Sequence, residues 1–227
     1  SKFILHTKVV LITTLLLVTA GTLLILLFEY NNPSTLGGMP FTSKLMNAFF
    51  QAVTPRTAGF NTLPVDQLHD TSKLLTIIFM FVGAAPGSTA GGIKITTFAI
   101  ILICVISYIK GQEDINIMGR RVVENVQRKA LSILIVSVVI VFATTMVLLA
   151  NNEGSFMDVL FESVSAFGTV GLSTGITPQL SPISKLMVII TMFLGRVGPL
   201  SFAVSITMKH SSRKNTFKYP EGKITVG

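Results

Sequence analysis

The sequence predicts an all-α polytopic membrane protein with two parallel repeats, each made of a helix, a re-entrant segment and a second helix. Its 227 residues are 50% hydrophobic and only 12% charged, with a mean hydropathy of +0.70, which is too apolar for an ordinary soluble domain. Its formal charge of +8 lies between the apolar runs and not along one basic face, which favours a lipid bilayer as partner and argues against nucleic acid. The third observation is that the two halves of the chain resemble each other at a constant spacing.

Three apolar runs are long enough to cross a bilayer, since about 20 helical residues span about 30 Å of hydrocarbon. They predict outer helices over 9–28 and 130–150 and an inner helix over 184–208. A fourth apolar region, 74–109, contains the stretch VGAAPGSTAGGIKITT at 82–97. As one helix its 36 residues would reach about 54 Å, which is too long for one straight span. We therefore expect a broken inner helix over 72–110.

The Lys and Arg residues gather near the two ends of the chain and between the repeats, which predicts that both termini of this segment are cytoplasmic. The linker over 111–129 and the tail over 209–227 then lie inside as well. The linker combines acidic, basic and apolar residues at near-helical spacing, which is typical of an amphipathic connector on the inner membrane surface.

The internal repeat has an offset of 112 residues. RTAGFNT at 56–62 aligns with GTVGLST at 168–174, MFVG at 80–83 with MFLG at 192–195, and SKL at 72–74 with SKL at 184–186. Ahead of each glycine sequence is a partly apolar segment, 42–56 or 155–167, which is too short to cross and is predicted to be re-entrant. The two repeats extend over 1–110 and 130–208.

A glycine-centred turn follows each re-entrant segment, over 57–62 and 168–174. Glycine permits positive φ, so that successive carbonyl groups can point at one axis, and rings of backbone carbonyls replace the hydration shell of potassium in channel filters. A short helix ahead of each turn directs the negative end of its dipole there. Each glycine alone could be an ordinary helix C-cap, but repetition at a fixed offset favours an ion site. The candidate ion-binding residues, acting through backbone carbonyls, are Thr57, Ala58, Gly59, Phe60, Thr169, Val170, Gly171 and Leu172.

These turns, together with GSTAGGIK at 87–94 and FLGRVGPL at 193–200, resemble the Trk/Ktr/HKT superfamily of potassium transporters, and most closely the membrane subunit of Ktr systems. The resemblance covers essentially the whole chain. It implies four helix, pore loop, helix repeats around one potassium-channel-like pore, of which this chain resembles the third and fourth. Two repeats cannot surround an ion with four carbonyl groups. We therefore expect the remaining two repeats of the same subunit as a partner, and a first residue that is Ser1 and not Met agrees with this.

The resemblance also implies potassium uptake through a channel-like pore, with K+ held at the filter carbonyls behind an intramembrane gating loop. Sodium dependence, a homodimer and a cytosolic ring of nucleotide-binding RCK regulatory subunits are implied in the same way, so that a nucleotide would act only through that partner. The linker would then be the docking segment for the ring. One glycine per turn, without the TVGYG run of potassium channels, indicates a shorter and less selective filter.

The glycine-rich stretch inside the broken helix predicts an intramembrane loop over 83–95. Its glycines also match the small-xxx-small spacing of close helix packing. However, the equivalent inner helix of the second repeat, predicted over 184–208, crosses the membrane without such an insertion. Non-helical backbone at membrane depth survives only against protein or a water-filled cavity. We therefore expect the loop to obstruct the pore below the filter, as the gating loop of the resembled family does. The candidate gate residues are Gly83, Pro86, Gly87, Ser88, Thr89, Gly91, Gly92, Lys94 and Arg196.

Four charged residues fall at predicted membrane depth. Arg196 is expected near mid-bilayer, where a charge costs at least about 2.5 kcal/mol and needs a polar partner or a cavity. It either ties helices together through backbone carbonyls or lies beneath the filter, where it tunes cation occupancy and holds the loop. Lys94 either acts from the loop or extends to the inner interface. Asp158 predicts a helix cap or dipole partner, and Glu162 predicts a hydrogen bond behind the filter.

No motif indicates catalysis. His6, His69 and His210 are far apart and show neither metal-ligand spacing nor a nucleophile with a paired base, so we expect no enzyme. Two rivals to a channel-like pore are open. A sodium-coupled transporter with alternating access also uses glycine-broken helices, and a non-conducting scaffold would use the glycines only for helix packing.

Overall fold

The computed structural model describes residues 5–111 and 116–198. Over these residues the chain is mostly helical, and the three elements predicted as outer helix, pore helix and inner helix follow one another twice. The helices are α1 (Leu5–Glu29), α2 (Phe41–Val53), α3 (Asp70–Phe81), α4 (Ile95–Ile109), α5 (Glu124–Ala150), α6 (Phe156–Gly168) and α7 (Pro182–Val197). Single 3-10 turns at Val65–Gln67 and Thr177–Gln179 precede α3 and α7 at the offset of 112. We call residues 5–111 the first unit and 116–198 the second unit.

The outer helices α1 and α5 are long and apolar enough to cross a membrane, and α4 is a shorter apolar helix. α1 begins at Leu5 and α5 begins at Glu124, whereas the apolar runs predicted helix starts at residues 9 and 130. Glu, Lys, Arg and Gln are good helix formers, so a helix continues past the hydrocarbon boundary that ends an apolar run. In α5 this extension includes an ion pair between Arg128 and Glu124, 2.7 Å apart and one turn from each other.

The linker predicted over 111–129 contains two short strands and the start of α5. Two antiparallel strands, β1 (Asn116–Ile117) and β2 (Arg120–Arg121), form a small hairpin there. Met118 and Gly119 join them with φ of +48° and +78°. A type I′ hairpin turn has positive φ at both central positions, and glycine adopts positive φ without cost, so this turn interrupts the near-helical spacing of the apolar residues.

Helix ends differ from the predicted ones. α2 ends at Val53, where 56 was predicted, because Pro55 has no N–H to continue the hydrogen-bond ladder. α6 begins and ends one residue later than predicted. The unbroken inner helix predicted over 184–208 is wrong at Gly198, which ends α7 with φ of +93°. Residues 199–208 of that prediction, and the tail over 209–227, lie outside the described residues.

The pore helix α6 packs between the two inner helices α3 and α7. Its side chains Phe161 and Phe167 are fully buried in a cluster that includes Met80 of α3. Glycines permit the close contacts: a Cβ on Gly195 of α7 would overlap the Phe167 carbonyl oxygen, and one on Gly168 would lie 2.7 Å from the Met80 carbonyl oxygen. The C-terminal end of α6 is therefore held on two sides by backbone contacts.

A buried glutamate connects the end of α1 to the start of α3 in the first unit. Glu29, the last residue of α1, is fully buried. Its carboxylate accepts hydrogen bonds from the side chains of Asn32 and Thr35 at 2.6 and 2.7 Å and from the backbone N–H of His69 at 2.9 Å. Since His69 is the N-cap of α3, this one carboxylate fixes the outer helix to the start of the inner helix.

The second unit makes the same connection with a different glutamate. Glu153, just after α5, accepts a hydrogen bond at 3.0 Å from the backbone N–H of Ser181, the N-cap of α7. Hydrogen bonds from the Ser181 side chain and backbone lower the pKa of Glu153. The contact therefore stabilises the fold above the ordinary Glu pKa of about 4.3, and it is lost as pH falls through the lowered value.

Candidate functional site

The two glycine turns lie directly against each other. A Cβ atom on Gly59 would overlap the carbonyl oxygen of Val170, and one on Gly171 would lie 3.8 Å from the Cα of Gly59. The first turn (residues 57–60) and the second turn (residues 169–172) thus meet backbone to backbone, although 112 residues separate them in the chain. Packing of α6 beside α3 brings them together.

Each turn has two residues with positive φ. In the first turn they are Thr57 at +68° and Gly59 at +75°, and in the second turn Thr169 at +53° and Gly171 at +91°. Positive φ is a genuine outlier for a β-branched residue such as threonine, and strained backbone concentrates at functional sites. Positive φ at alternate positions allows successive carbonyl groups to point towards one axis. The sequence predicted this geometry for the glycines only.

The last carbonyl of each turn is held by a hydroxyl group of its own pore helix. The Thr54 hydroxyl donates to the carbonyl of Phe60, and the Ser165 hydroxyl donates to the carbonyl of Leu172 at 2.6 Å. Phe60 and Leu172 are equivalent in the repeat, so both turns are fixed in the same way. Sequence reasoning missed Thr54 and Ser165; the signal was a hydroxyl residue near the end of each pore helix.

Glu162 fixes the segment that follows the second turn. This buried side chain accepts a hydrogen bond from the Ser173 hydroxyl at 2.9 Å and another from the Thr177 hydroxyl. Ser173 in turn accepts from the backbone N–H of Gly175 at 2.9 Å. The predicted hydrogen bond of Glu162 behind the turn is therefore present in the structure. Its repeat counterpart in the first unit is Phe50, which has no such group.

The two turns differ in how much of them is covered. Phe60 of the first turn is 72% exposed, whereas Val170 and Leu172 of the second are 4% and 3% exposed. A cavity of about 300 Å³ lies beside the second turn, between α6 and α7. Its lining includes the polar side chains Glu162, Ser173 and Thr177.

The inner helix of the first unit is interrupted between α3 and α4 by residues 82–94, where 83–95 was predicted. Backbone hydrogen bonds close the base of this loop: Gly83 N–H to the Ile93 carbonyl at 2.8 Å, and Ile95 N–H to the Ala84 carbonyl at 3.2 Å. A Cβ on Gly83 would overlap the Gly91 carbonyl oxygen, so only glycine fits there. The loop therefore satisfies much of its own backbone, as non-helical backbone within a membrane must.

Two contacts join this loop to the second unit. The backbone N–H of Gly91 donates to the Thr169 hydroxyl at 3.0 Å, and Arg196 of α7 donates to the carbonyl of Thr89. A Cβ on Gly91 would lie 2.6 Å from the Thr169 hydroxyl oxygen. The structure thus brings the loop, the second turn and Arg196 into contact.

The other predicted gate residues stay within the loop. Lys94 donates to the carbonyl of Ala90, so its ammonium group stays with the loop. Gly92 has φ of +70° and lies close to α3. The exposed tip consists of Pro86, Gly87, Ser88 and Thr89.

Asp158, the predicted cap residue, contacts Ser155 and Lys73. Asp158 forms a capping pair with Ser155, whose hydroxyl donates to the carboxylate at 2.6 Å, and an ion pair with Lys73 of α3 at 3.7 Å. The predicted role as a cap is therefore present, together with a contact between units.

Within residues 5–111 and 116–198, no group of three or more His, Cys, Asp or Glu side chains is placed to hold a metal ion.

Comparisons with known proteins identify relatives along the whole chain. A family model described as TrkH, cation transport protein, matches residues 3–218. Ktr system potassium uptake protein B of Bacillus subtilis (strain 168) is 41% identical over 225 residues, which are 99% of this chain and 50% of that protein. Potassium/sodium uptake protein NtpJ of Enterococcus hirae is 37% identical over 230 residues, 100% of this chain and 51% of that protein. The crystal structure of the potassium transporter TrkH from Vibrio parahaemolyticus matches with a TM-score of 0.73 at 17% identity, over 91% of this chain and 45% of that one.

These matches confirm the predicted fold class and the predicted resemblance. They place the chain among transport proteins of the membrane and not among enzymes, as the sequence indicated. The chain spans about half the length of the curated relatives it matches. It belongs to the TrkH family of cation transport proteins.

Proposed function

We propose that this chain supplies two of the four filter turns of a pore that takes up potassium across the cell membrane. The observation that carries the proposal is that two turns at the 112-residue offset share one alternating backbone conformation and lie against each other. A helix cap needs only one left-handed residue, whereas each turn here has two. The relatives are named for potassium uptake and for potassium/sodium uptake, which supports K+ as the main ion and Na+ as a second one.

Potassium is the substrate of this site, and backbone carbonyl groups receive it. The carbonyl oxygens of residues 57–59 and 169–171 replace water molecules around the ion. The C-terminal ends of α2 and α6 direct the negative ends of their dipoles towards it. Thr54 and Ser165 keep each turn in place by holding its last carbonyl. The other two turns come from the remaining two repeats of the same subunit.

The gate in this proposal is the loop at 82–94. Because Gly91 binds Thr169 and Thr89 binds Arg196, the loop can leave its place beside the second turn only by breaking both contacts. A positive charge near the inner side of a carbonyl filter also repels potassium. Opening then consists of releasing Thr89 from Arg196 and displacing the loop.

The proposal extends to partners inside and outside the membrane. The linker at 111–129 docks a cytosolic RCK ring, so a nucleotide acts only through that ring, and the complete subunit forms a homodimer in the lipid bilayer. Both termini of this segment are then cytoplasmic.

A sodium-coupled transporter with alternating access is the second candidate, because the break between α3 and α4 is also a feature of such proteins.

The test is potassium uptake by cells without their own potassium transporters that express the complete polypeptide containing this chain. We expect growth at low potassium and uptake that does not saturate at transporter rates. Uptake that saturates at such rates supports alternating access. Failure to restore growth, with the protein present in the membrane, contradicts the proposal.

Removing the contact between Arg196 and the loop is expected to raise potassium uptake. Arg196→Ala removes a charge-assisted hydrogen bond to Thr89, and a loss of about 1.4 kcal/mol from the closed state corresponds to about a tenfold change in the gating equilibrium. The measurement is potassium influx per amount of membrane protein, with the potassium to sodium preference recorded beside it.

Arg128→Ala is the matched control, since Arg128 is exposed and its ion pair with Glu124 is far from the loop in the chain. We expect it to leave influx unchanged, and we expect Arg196→Ala to leave the ion preference unchanged. If potassium influx stays the same or falls in Arg196→Ala, the loop does not act as a gate and serves only in helix packing.

A further inference from the structure

A cavity of about 340 Å³ lies at the base of the loop at 82–94, between α3, α4, α5 and α6. Every residue that lines it in the described part of the chain is Ile, Leu, Val or Phe. An apolar cavity of about 150 Å³ stays dry and binds benzene, and this one has about twice that volume. A hydrocarbon therefore fits the cavity, and water does not.

The two ends of the loop form one wall of this cavity. Val82 and Ile93 both line it, are each 2% exposed, and are paired in an isolated parallel bridge. The Ile93 N–H donates to the Phe81 carbonyl at 3.2 Å, and the Ile93 carbonyl accepts from the Gly83 N–H at 2.8 Å. This wall cannot move inward to fill the space without breaking these hydrogen bonds.

The pore helix α6 forms another wall. Val164 of α6 lines the cavity and is 2% exposed. Phe81, the last residue of α3, also lines it, and its ring is 5.8 Å from the ring of Phe167 in α6. A molecule in the cavity thus contacts the loop and the pore helix together.

The cavity opens onto an apolar surface. Ile78 lines it and is 48% exposed, so the opening lies beside this residue. Ile101 of α4 and Leu134 of α5 line the other walls. Their chain neighbours Leu102 and Ile135 are 44% and 55% exposed. Since α5 is long and apolar enough to cross a membrane, the surface around the opening meets lipid chains there.

The size of the cavity selects among apolar occupants. An α-helix with its side chains is about 10–12 Å across, which is too wide to enter this space. Neither a further repeat nor a second copy of the chain can therefore fill it with a helix. An empty cavity would leave the lining side chains without dispersion contacts. An acyl chain is a single file of methylene groups, and it can enter from the lipid through the opening at Ile78.

We propose that this cavity binds one acyl chain of a membrane phospholipid, which lies against Val82 and Ile93 at the two ends of the loop. The site itself needs only a membrane-spanning fold. Its effect on transport rests on the proposed function: the bound chain supports the loop in its place beside the second turn. The shape of the surrounding acyl chains then acts on the gate.

Photolabelling tests the site. The complete polypeptide is placed in liposomes of phosphatidylethanolamine and phosphatidylglycerol that carry a diazirine in an acyl chain, and mass spectrometry identifies the labelled residues after irradiation. We expect labels on Ile93 or Val164, which are too buried for lipid at the protein surface to reach. Labels confined to exposed residues overturn the proposal.

Two variants that fill the cavity separate specific binding from chance labelling. Leu134→Trp should abolish labelling of Ile93 and Val164, whereas Ile135→Trp, at the exposed neighbouring position, should leave it unchanged. Ile101→Phe fills the cavity from α4 if Leu134→Trp does not fold, with Leu102→Phe as its exposed control. Equal labelling in a correctly folded cavity variant and its control contradicts an acyl chain in the cavity.

Potassium flux in liposomes tests the effect on the loop. Methyl-branched acyl chains are too wide for the cavity, so we expect higher flux in liposomes of branched chains than in liposomes of unbranched chains. Leu134→Trp should remove this difference, and Ile135→Trp should keep it. The same difference in both variants shows that the bound chain does not support the loop. Photolabelling needs no ion flow, so a labelled cavity in a protein that takes up no potassium would uphold the site and contradict only the proposed function.

Discussion

Gly59→Ala is expected to abolish potassium uptake, whereas Gly171→Ala is expected to reduce it much less. Both glycines have positive φ, so both substitutions cost about 1–2 kcal/mol of backbone strain. Only at Gly59 does the added Cβ overlap a backbone atom, the Val170 carbonyl oxygen. At Gly171 the added Cβ lies 3.8 Å from the Cα of Gly59, an ordinary contact. Gly59→Ala must therefore push the two turns apart and displace a carbonyl that we assign to the ion.

The measurement is influx of radioactive potassium or rubidium into cells, normalised to the amount of protein in the membrane. Gly38→Ala is the control, because Gly38 lies in a loop with no atom within 4 Å of an added Cβ and no positive φ. We expect that control to behave as the wild type. Normal uptake in Gly59→Ala at normal protein levels would mean that the turns do not carry the ion.

The second large effect is expected on stability, from Gly195→Ala. The added Cβ would overlap the Phe167 carbonyl oxygen and lie 2.7 Å from its carbonyl carbon. These are backbone atoms of α6, so neither can rotate away, and α7 must move off α6. We expect the free energy of unfolding to fall by about 3 kcal/mol or more, at the upper end of the cost of overpacking.

Thermal unfolding of the purified protein in detergent, together with the yield of monodisperse protein, measures this effect. Gly87→Ala is the matched control: Gly87 has φ of +84° but no atom within 4 Å of an added Cβ, so it reports backbone strain without a clash. A melting temperature of Gly195→Ala equal to that of Gly87→Ala would show that α6 and α7 are not closely packed.

Features that repeat along the chain were predictable from the sequence. The 112-residue offset predicted that two turns are equivalent, and the structure brings them into contact through Gly59 and Val170. The surplus length of the first inner helix predicted a break, and residues 82–94 are not helical. The need of Arg196 for a polar partner predicted either backbone carbonyls that tie helices together or a contact with the loop, and Arg196 donates to the Thr89 carbonyl of the loop. Apolar run length and unpaired charge are constraints that a single sequence already contains.

Features that depend on local backbone geometry or on distant hydrogen bonds were not predictable in this way. Gly198 ends α7 inside a run that is apolar on both sides, and Gly119 converts a helix-like pattern into a hairpin. Thr169 has positive φ in a turn where its hydroxyl accepts from the Gly91 N–H at 3.0 Å and its own N–H donates to the Ala166 carbonyl at 3.1 Å, contacts that only the folded chain provides.

The two glutamates at the outer ends of α1 and α5 have a mechanical consequence. Each accepts a hydrogen bond from the backbone N–H of the N-cap of an inner helix, His69 or Ser181. In the proposed orientation we therefore expect that helix to tilt about its outer end. A small tilt about that end displaces atoms in proportion to their distance from it. In α7, Gly198 lies 17 residues beyond Ser181, about 26 Å along the helix at about 1.5 Å per residue. We therefore expect tilting of α7 to move its inner end more than its outer end, so that an opening movement on the inner side leaves the proposed filter in place.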